Sequence, residues 1–189
     1  MNRPAHARDL ILRAAEAIVA EAGVTALTYD ALVARSGVTR GGITYHFPTR
    51  EALLQALVTH DLAAWETCLA EKRAGFSGVG ADLHAYIAST ADTTPEEGRL
   101  CAGLLSSTMS APDLAEPWRS LFARHQQYLK TLPDPDLALI VSLAADGLFF
   151  LEILGLATFP EAVRARLIAR LHALADQTVE MDQTTGADA

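Results

Sequence analysis

Cysteine is scarce in this chain, and the two present stand apart. Cys68 and Cys101 form no CxxC and have no neighbouring ligand cluster, which excludes a disulfide framework and suits a reduced compartment. The histidines, at 6, 46, 60, 84, 125 and 172, include no pair four residues apart, and no cysteine or carboxylate completes a ligand set with them. No metal is therefore expected. Paired nucleophile and base are missing too, as is a phosphate-binding glycine loop, so the chain is not expected to be an enzyme and no cofactor is implied. Uninterrupted hydrophobic runs are also lacking. The longest apolar stretch, Leu137 to Phe159, holds Asp146 and Glu152 in its interior, which a bilayer would penalise; a buried helix is expected there and not a membrane span. The opening residues, MNRPAHARDL, have neither an apolar signal core nor a small-residue cleavage site, and the expected location is the cytoplasm.

Positive charge is short overall, with a net charge of −8, which at first sight argues against a nucleic-acid partner because phosphate neutralisation dominates such affinity. The average hides a segregation. Residues 1–50 carry six arginines against four acids, whereas residues 51–189 carry nine basic residues against nineteen acids. One end of the chain is suited to approach a polyanion, and a larger acidic body is suited to stay off it.

What is present is helical periodicity. Half of the 189 residues are hydrophobic, enough for a substantial core. Leu10, Ile11, Ala14, Ala15, Ile18, Val19 and Ala22 recur at helical spacing and Gly23 closes the run. Thr28 supplies an N-cap for a short helix, Tyr29 to Arg35. Ser36 and Gly37 then break the pattern, and a second polar cap at Thr39 begins another short segment, Thr39 to Tyr45. A long helix is predicted from about Arg50 to Lys72, with Leu53, Leu54, Leu57, Val58, Leu62 and Trp65 on its buried side. After a glycine-rich linker, Ala74 to Gly80, helices are predicted at Ala81 to Ala91, Pro95 to Met109, Asp113 to Leu132, Asp136 to Leu156 and Pro160 to Val179, and the tail MDQTTGADA is expected to fray. No period-2 strand pattern persists, so the fold class is all-α.

Two short helices meeting at a glycine turn form the layout by which a recognition helix enters the DNA major groove with its N-terminal residues facing base edges. Thr39, Arg40 and Thr44 are the candidate base readers. Arg40 is the leading one, because a guanidinium can grip O6 and N7 of guanine together. Tyr45, His46 and Arg50 follow where hydroxyl, imidazole and guanidinium groups can bind phosphate oxygens, and Thr28 can add a phosphate contact beside its capping role. Gly41 and Gly42 each cost a helix about 1 kcal/mol relative to alanine. Two explanations stand: close backbone approach to DNA at Gly41 and its neighbour, or easier packing of this helix on the first. Phe47 reads as core, and Arg3, His6 and Arg8 as a solvated arm near the DNA backbone or minor groove.

The segment Leu27 to Leu54, LTYDALVARSGVTRGGITYHFPTREALL, resembles the DNA-binding signature of the tetracycline-repressor (TetR) family. The shared pattern is a threonine-led second helix, a Gly-Val turn, a short recognition helix ending in aromatic residues and HF, and a basic residue before glutamate. Thr44 stands where relatives often have tyrosine, and Gly42 where they often have threonine or serine. The resemblance implies an N-terminal three-helix DNA-binding domain with a helix-turn-helix, residues 1–48, and a C-terminal helical effector-binding and dimerisation domain, residues 49–189. It implies a repressor that binds palindromic double-stranded operator DNA as a homodimer formed through the last two long helices, and that a small, largely apolar organic effector releases.

For an effector site, the large side chains of the body give the candidates Trp65, Tyr86, Cys101, Leu105, Met109, Trp118, Phe122 and Phe149, with His125 and Asp146 as polar anchors. Each has an ordinary alternative: core packing for the apolar residues, a surface position for His125, and a capped or interface carboxylate for Asp146. Two other classes compete with the DNA-binding reading. A helical enzyme lacks its machinery, and a helical adaptor without a DNA role leaves the basic first quarter unexplained.

Overall fold

The computed structural model describes residues 3–179, with side chains from His6 onward; the tail MDQTTGADA and the Arg3 side chain lie outside the described residues. Among the described residues there are nine α-helices and no strand: α1 (Arg3–Ala22), α2 (Tyr29–Ser36), α3 (Arg40–His46), α4 (Arg50–Arg73), α5 (Ala81–Ala91), α6 (Pro95–Thr108), α7 (Glu116–Leu129), α8 (Pro135–Ile153) and α9 (Glu161–Gln177). Short 3₁₀ turns occupy Val24–Ala26 and Pro112–Ala115. None of these helices is long and apolar enough to cross a membrane.

Several boundaries differ from the sequence pattern, those of α1, α7 and α8 for local reasons. The first helix starts at Arg3 rather than near Leu10, so His6 and Arg8 sit on a helix and not on a loose arm; Pro4 stands in the first turn, where its missing N–H is not needed. The segment read as one helix from Asp113 to Leu132 is a 3₁₀ turn followed by α7, because Pro117 can donate no backbone bond and is accommodated only in a first turn. Its far end tightens into three-residue bonds, Thr131 N–H to Tyr128 O at 2.8 Å and Leu132 N–H to Leu129 O at 3.1 Å, just before Pro133, which disfavours helix in the residue ahead of it. The eighth helix ends at Ile153, short of Leu156, and Gly155 turns the chain with a φ of 65°.

The chain forms two compact units, one comprising the residues up to Ala64 with Thr94–Arg119, the other Trp65–Thr93 with the residues from Ser120 on. In the first unit α1 packs on α2, α3 and α6. Its core holds Ile11, Leu12, Val19, Leu32, Ile43, Phe47, Leu57, Val58 and Leu104, all at most 3% exposed. The α1–α6 crossing is close: a Cβ on Gly103 would lie 2.7 Å from Val19 Cγ1, and Arg99 Nε donates to the Ala20 carbonyl at 3.0 Å, covering an otherwise open carbonyl at the end of α1. The compact unit thus reaches beyond residues 1–48, taking in the first part of α4 and all of α6.

In the second unit α5, α8 and α9 pack together around Leu83, Ile87, Leu129, Leu132, Ala138, Val141, Ala145, Leu171 and Ala175. Glu152, one of the two acids inside the apolar stretch, meets Arg164 of α9, whose Nε donates to both carboxylate oxygens at 3.0 Å. Arg164 also donates to the Ala91 carbonyl at the end of α5, so one guanidinium joins three helices. The α8 helix buries Ala138, Val141, Ser142 and Ala145 on one side. On another side it leaves Leu139, Ile140, Leu143 and Leu151 between 37% and 60% exposed, and Gly147 opens onto free space.

One acid in the first unit has no such compensation. Burial and the nearby Glu16 and Glu97 push the Asp61 carboxyl up to about 6, only partly offset by His60, which lies 2.6 Å from Glu16 Oε1 through Nδ1. Burial, followed by the Asp61 charge, pushes the Cys101 thiol up to about 12, so it stays protonated and weakly reactive at neutral pH. Because the folded carboxyl binds its proton more tightly than the unfolded one, the contribution of Asp61 to stability is greatest at low pH and is lost as pH rises from the unfolded carboxyl range through about 6. Asp61→Asn is therefore expected to raise unfolding free energy at about pH 7.5 by roughly 1–3 kcal/mol. Urea unfolding from about pH 4 to about pH 7.5 checks it: the variant should lack the wild-type decline that runs up to and levels off just above about pH 6, and an unchanged pH profile would refute the assignment.

Candidate functional site

The α2–α3 corner is built from side chains that cap and turn. Thr28 Oγ1 accepts the Ala31 N–H at 3.2 Å and opens α2. At its end Ser36 Oγ donates to Leu32 O at 2.6 Å and accepts the Val38 N–H at 3.1 Å, while Gly37 adopts a φ of 69° that a side chain would strain. Thr39 Oγ1 then accepts the Gly42 N–H at 3.2 Å and opens α3. Ile43 and Phe47 are buried at 0% and 3% exposure, and they fix which side of α3 faces out. The Arg8 guanidinium lies 5.6 Å over the Phe47 ring, a cation–π contact that the first residues of the chain make with the corner.

Outward, α3 presents Thr39, Arg40, Gly41, Thr44 and Tyr45, all exposed. Tyr45 is 78% exposed, a large ring held in water. Thr44 Oγ1 is within hydrogen-bonding distance of the Arg40 and Gly41 carbonyls, which steadies its rotamer. His46 is half-buried at the end of the helix and packs edge-on to Tyr45. Arg50, exposed at the start of α4, donates through Nη2 to Val24 O at 2.8 Å. Thr28 is exposed, its oxygen engaged as an acceptor and its hydroxyl proton available to a phosphate.

The two glycines of α3 have different reasons. A Cβ on Gly42 would lie 2.8 Å from Val38 Cγ1, so a side chain there would have to displace Val38 in the preceding turn, a cause other than the two explanations that the sequence left open. Gly41 has nothing within 4 Å of where a Cβ would stand, so packing does not account for it. Two residues that sequence reasoning passed over belong to the same surface: Asp30, whose Oδ1 accepts from Arg40 Nη1 at 2.9 Å, and Tyr29, whose ring lies 5.4 Å from the Arg40 Cζ.

The effector candidates divide between the two units. Cys101, Leu105, Met109 and Trp118 belong to the first; Trp118 is buried at 7% exposure, whereas Met109, just past α6, is 89% exposed. Trp65, Tyr86, Phe122, His125, Asp146 and Phe149 belong to the second, and four of them meet. Tyr86 OH donates to Asp146 Oδ1 at 2.6 Å. The Tyr86 ring stacks on His125 at 3.9 Å and meets Trp65 edge-on at 5.7 Å. His125 Nε2 lies 2.9 Å from Ser142 Oγ on α8. Burial depresses the His125 imidazole to about 4, so it is neutral at pH 7. Burial raises the Asp146 carboxyl, with the Tyr86 hydroxyl opposing the shift. Phe122 is half-buried on α7. Phe149 lines a cavity of about 10 Å³, space for about one water, with Ile87, Thr90, Ala91, Ala145, Leu148, Ile168 and Leu171.

Comparison with known proteins agrees with this architecture. Residues 80–176 match the family model of the tetracyclin repressor-like C-terminal domain, and residues 11–57 match that of bacterial regulatory proteins of the tetR family. No curated protein matches the chain in sequence. The structure is similar to that of a TetR-family transcriptional regulator from Rhodococcus sp., at 18% identity over 93% of this chain and 100% of that one, with a TM-score of 0.72. It is similar to a TetR transcription regulator from Haloarcula marismortui, at 16% identity over 93% and 100% with a TM-score of 0.74. A third likeness is to a transcriptional regulator from Saccharomonospora viridis in complex with choline, at 16% identity over 91% and 96% with a TM-score of 0.73. At these identities the likenesses speak for the fold, while the C-terminal model alone spans more than half of the 189 residues. The chain belongs to the TetR family of transcriptional regulators.

Proposed function

We propose that the protein is a homodimeric, cytoplasmic repressor that reads a palindromic operator through α3 and is released from it by a small, largely apolar organic effector. The observation that carries the reading is the outer face of α3. A short helix, anchored by Ile43 and Phe47 after a left-handed glycine turn, exposes Thr39, Arg40, Gly41, Thr44 and Tyr45 together. In this reading Arg40 and the threonines read base edges, and Thr28, Tyr45, His46 and Arg50 bind phosphates and fix register. Gly41 lets the α3 backbone come close to the duplex. Residues 1–48 do the reading, and residues 49–189 respond to the effector and pair the subunits.

The α8 stripe of Leu139, Ile140, Leu143, Gly147 and Leu151, with Leu167 of α9, supports the dimer. A single chain leaves these apolar residues in water, and a second copy laid against them as a four-helix bundle buries them. Two recognition helices about 34–36 Å apart then meet successive major grooves.

The effector site in this reading is the cluster of Trp65, Tyr86, His125 and Asp146, with Phe122 and Phe149 near it in sequence register on the same helices. His125, neutral at pH 7, and the Asp146 carboxyl provide orientation, and the rings provide apolar contact. The Saccharomonospora viridis regulator was solved with choline; a small cation with apolar methyl groups is the kind of molecule that a carboxyl beside aromatic rings accommodates. Trp65 lies on α4, the helix that begins at Arg50, so an effector that moves Trp65 acts on the element that carries a phosphate contact. Coupling of about 1–3 kcal/mol is typical, and operator DNA must weaken effector binding by the same factor.

Binding to a duplex from immediately upstream of its own gene, and to duplexes selected from a random library, tests the reading across salt concentrations. A steep negative salt slope is expected. Arg40→Ala should reduce preference for the selected site by about 1–3 kcal/mol; retained preference would remove Arg40 from base reading. Gly41→Ala should stabilise the protein by about 1 kcal/mol and yet weaken operator binding, and unchanged operator affinity would show that the backbone does not approach the duplex there. Leu143→Glu should give a folded monomer by analytical ultracentrifugation that no longer holds the operator, whereas a persistent dimer would place the interface elsewhere.

A further inference from the structure

We propose that Asp30 and Tyr29 of α2 are positioning residues that hold the Arg40 guanidinium as a pre-aligned guanine reader, and so set the sequence preference of the interface. The inference rests on the DNA-reading function proposed above. Arg40 Nη1 donates to Asp30 Oδ1 at 2.9 Å, and the Arg40 Cζ lies 5.4 Å from the centroid of the Tyr29 ring. The first contact fixes one corner of the planar fork; the second constrains its face. Tyr29 is itself anchored, its hydroxyl donating to Phe47 O at 3.2 Å on a residue only 3% exposed. The placement of Arg40 is thus tied through Tyr29 to the core of the corner.

Stability does not account for the pair. The Arg40 and Asp30 side chains are 66% and 88% exposed, and an ion pair so open to water contributes little to folding. Its geometry has another use. With Nη1 engaged by Asp30, Nε and Nη2 remain as two parallel donors along one edge of the fork, the arrangement that matches O6 and N7 of guanine. An arginine already held in this way loses less side-chain freedom on reading its base.

Asp30 also has an effect on every other sequence. A carboxylate beside the reading helix repels phosphates wherever the protein lands. That repulsion is common to all DNA, whereas the alignment of Arg40 is rewarded only where guanine stands opposite. The pair lowers general affinity and raises discrimination.

The test compares wild type, Asp30→Asn, Arg40→Ala and the double variant by fluorescence anisotropy. The probes are a duplex that the wild type enriches from a randomised library and a random duplex of equal length, at several salt concentrations. Thermal unfolding establishes that all four proteins are folded. Asp30→Asn is expected to bind the random duplex about three-fold more tightly and to lose about ten-fold in preference for the selected one. In the Arg40→Ala background the same substitution should leave preference unchanged. An unchanged preference in the single variant overturns the positioning role, as does an equal loss with and without Arg40. If the wild type enriches no sequence at all, the DNA-reading function fails and this inference falls with it; enrichment by the wild type followed by full preference in Asp30→Asn removes the positioning role alone.

Discussion

A helix of seven residues with two glycines does not persist in water by itself, since nucleation is unfavourable and glycine weakens each turn it occupies. Everything that α3 can do therefore depends on what holds it. The hold comes from both ends and one side: the Thr39 cap, the buried Ile43 and Phe47, and the Tyr29 hydroxyl on the Phe47 carbonyl. The turn before it leaves little freedom, because Ser36 bonds on both sides of Gly37 and Gly37 occupies a conformation that other residues avoid. With the inward side committed to the core, the outward side is determined as well, and Arg40 is held further by Asp30 and Tyr29 of α2.

The acidic body shows three ways of keeping a carboxyl among apolar helices. Glu152 is matched by Arg164 in a two-oxygen contact and shares that guanidinium with the end of α5. Asp146 receives the Tyr86 hydroxyl in a short hydrogen bond. Asp61 faces other acids and shifts its affinity for a proton instead. The first arrangement braces helices at little electrostatic expense, because a paired and half-buried charge keeps its hydrogen bonds. The other two leave a group whose state depends on what surrounds it, which is where a small molecule or a change of conditions can act.

Much of this architecture was legible in the sequence because its signals are local. Thr28, Thr39 and Gly37 announce the ends of short helices through their own chemistry, and the limits of α5 follow from glycines before it and polar residues after it. The boundaries that were misjudged needed a longer view: Pro117 divides a run whose apolar spacing looked continuous, and α1 extends through polar residues that show no stripe. Periodicity also tells which face of a helix is buried, but not against what. Hence His125 and Asp146 could be singled out as polar residues on apolar faces, whereas their meeting through Tyr86 and Ser142 depends on three helices converging. For the same reason Cys101, Met109 and Trp118 looked equivalent to Tyr86 and Phe149 in the sequence and lie in the other unit. The Asp30–Arg40 pair crosses a turn between two helices, a relation that spacing along one helix does not encode.

Gly42 lies so close to Val38 that the two positions occupy what is nearly a single volume. Diversity introduced at the reading surface to redirect the protein toward a new operator would therefore not be free at every residue of α3. Arg40, Gly41 and Thr44 open outward, whereas a side chain at position 42 has to displace the Val38 side chain in the turn. A residue placed there moves the turn along with the reading surface, so new sequence preferences are reached with least disturbance of the corner through Arg40, Gly41 and Thr44.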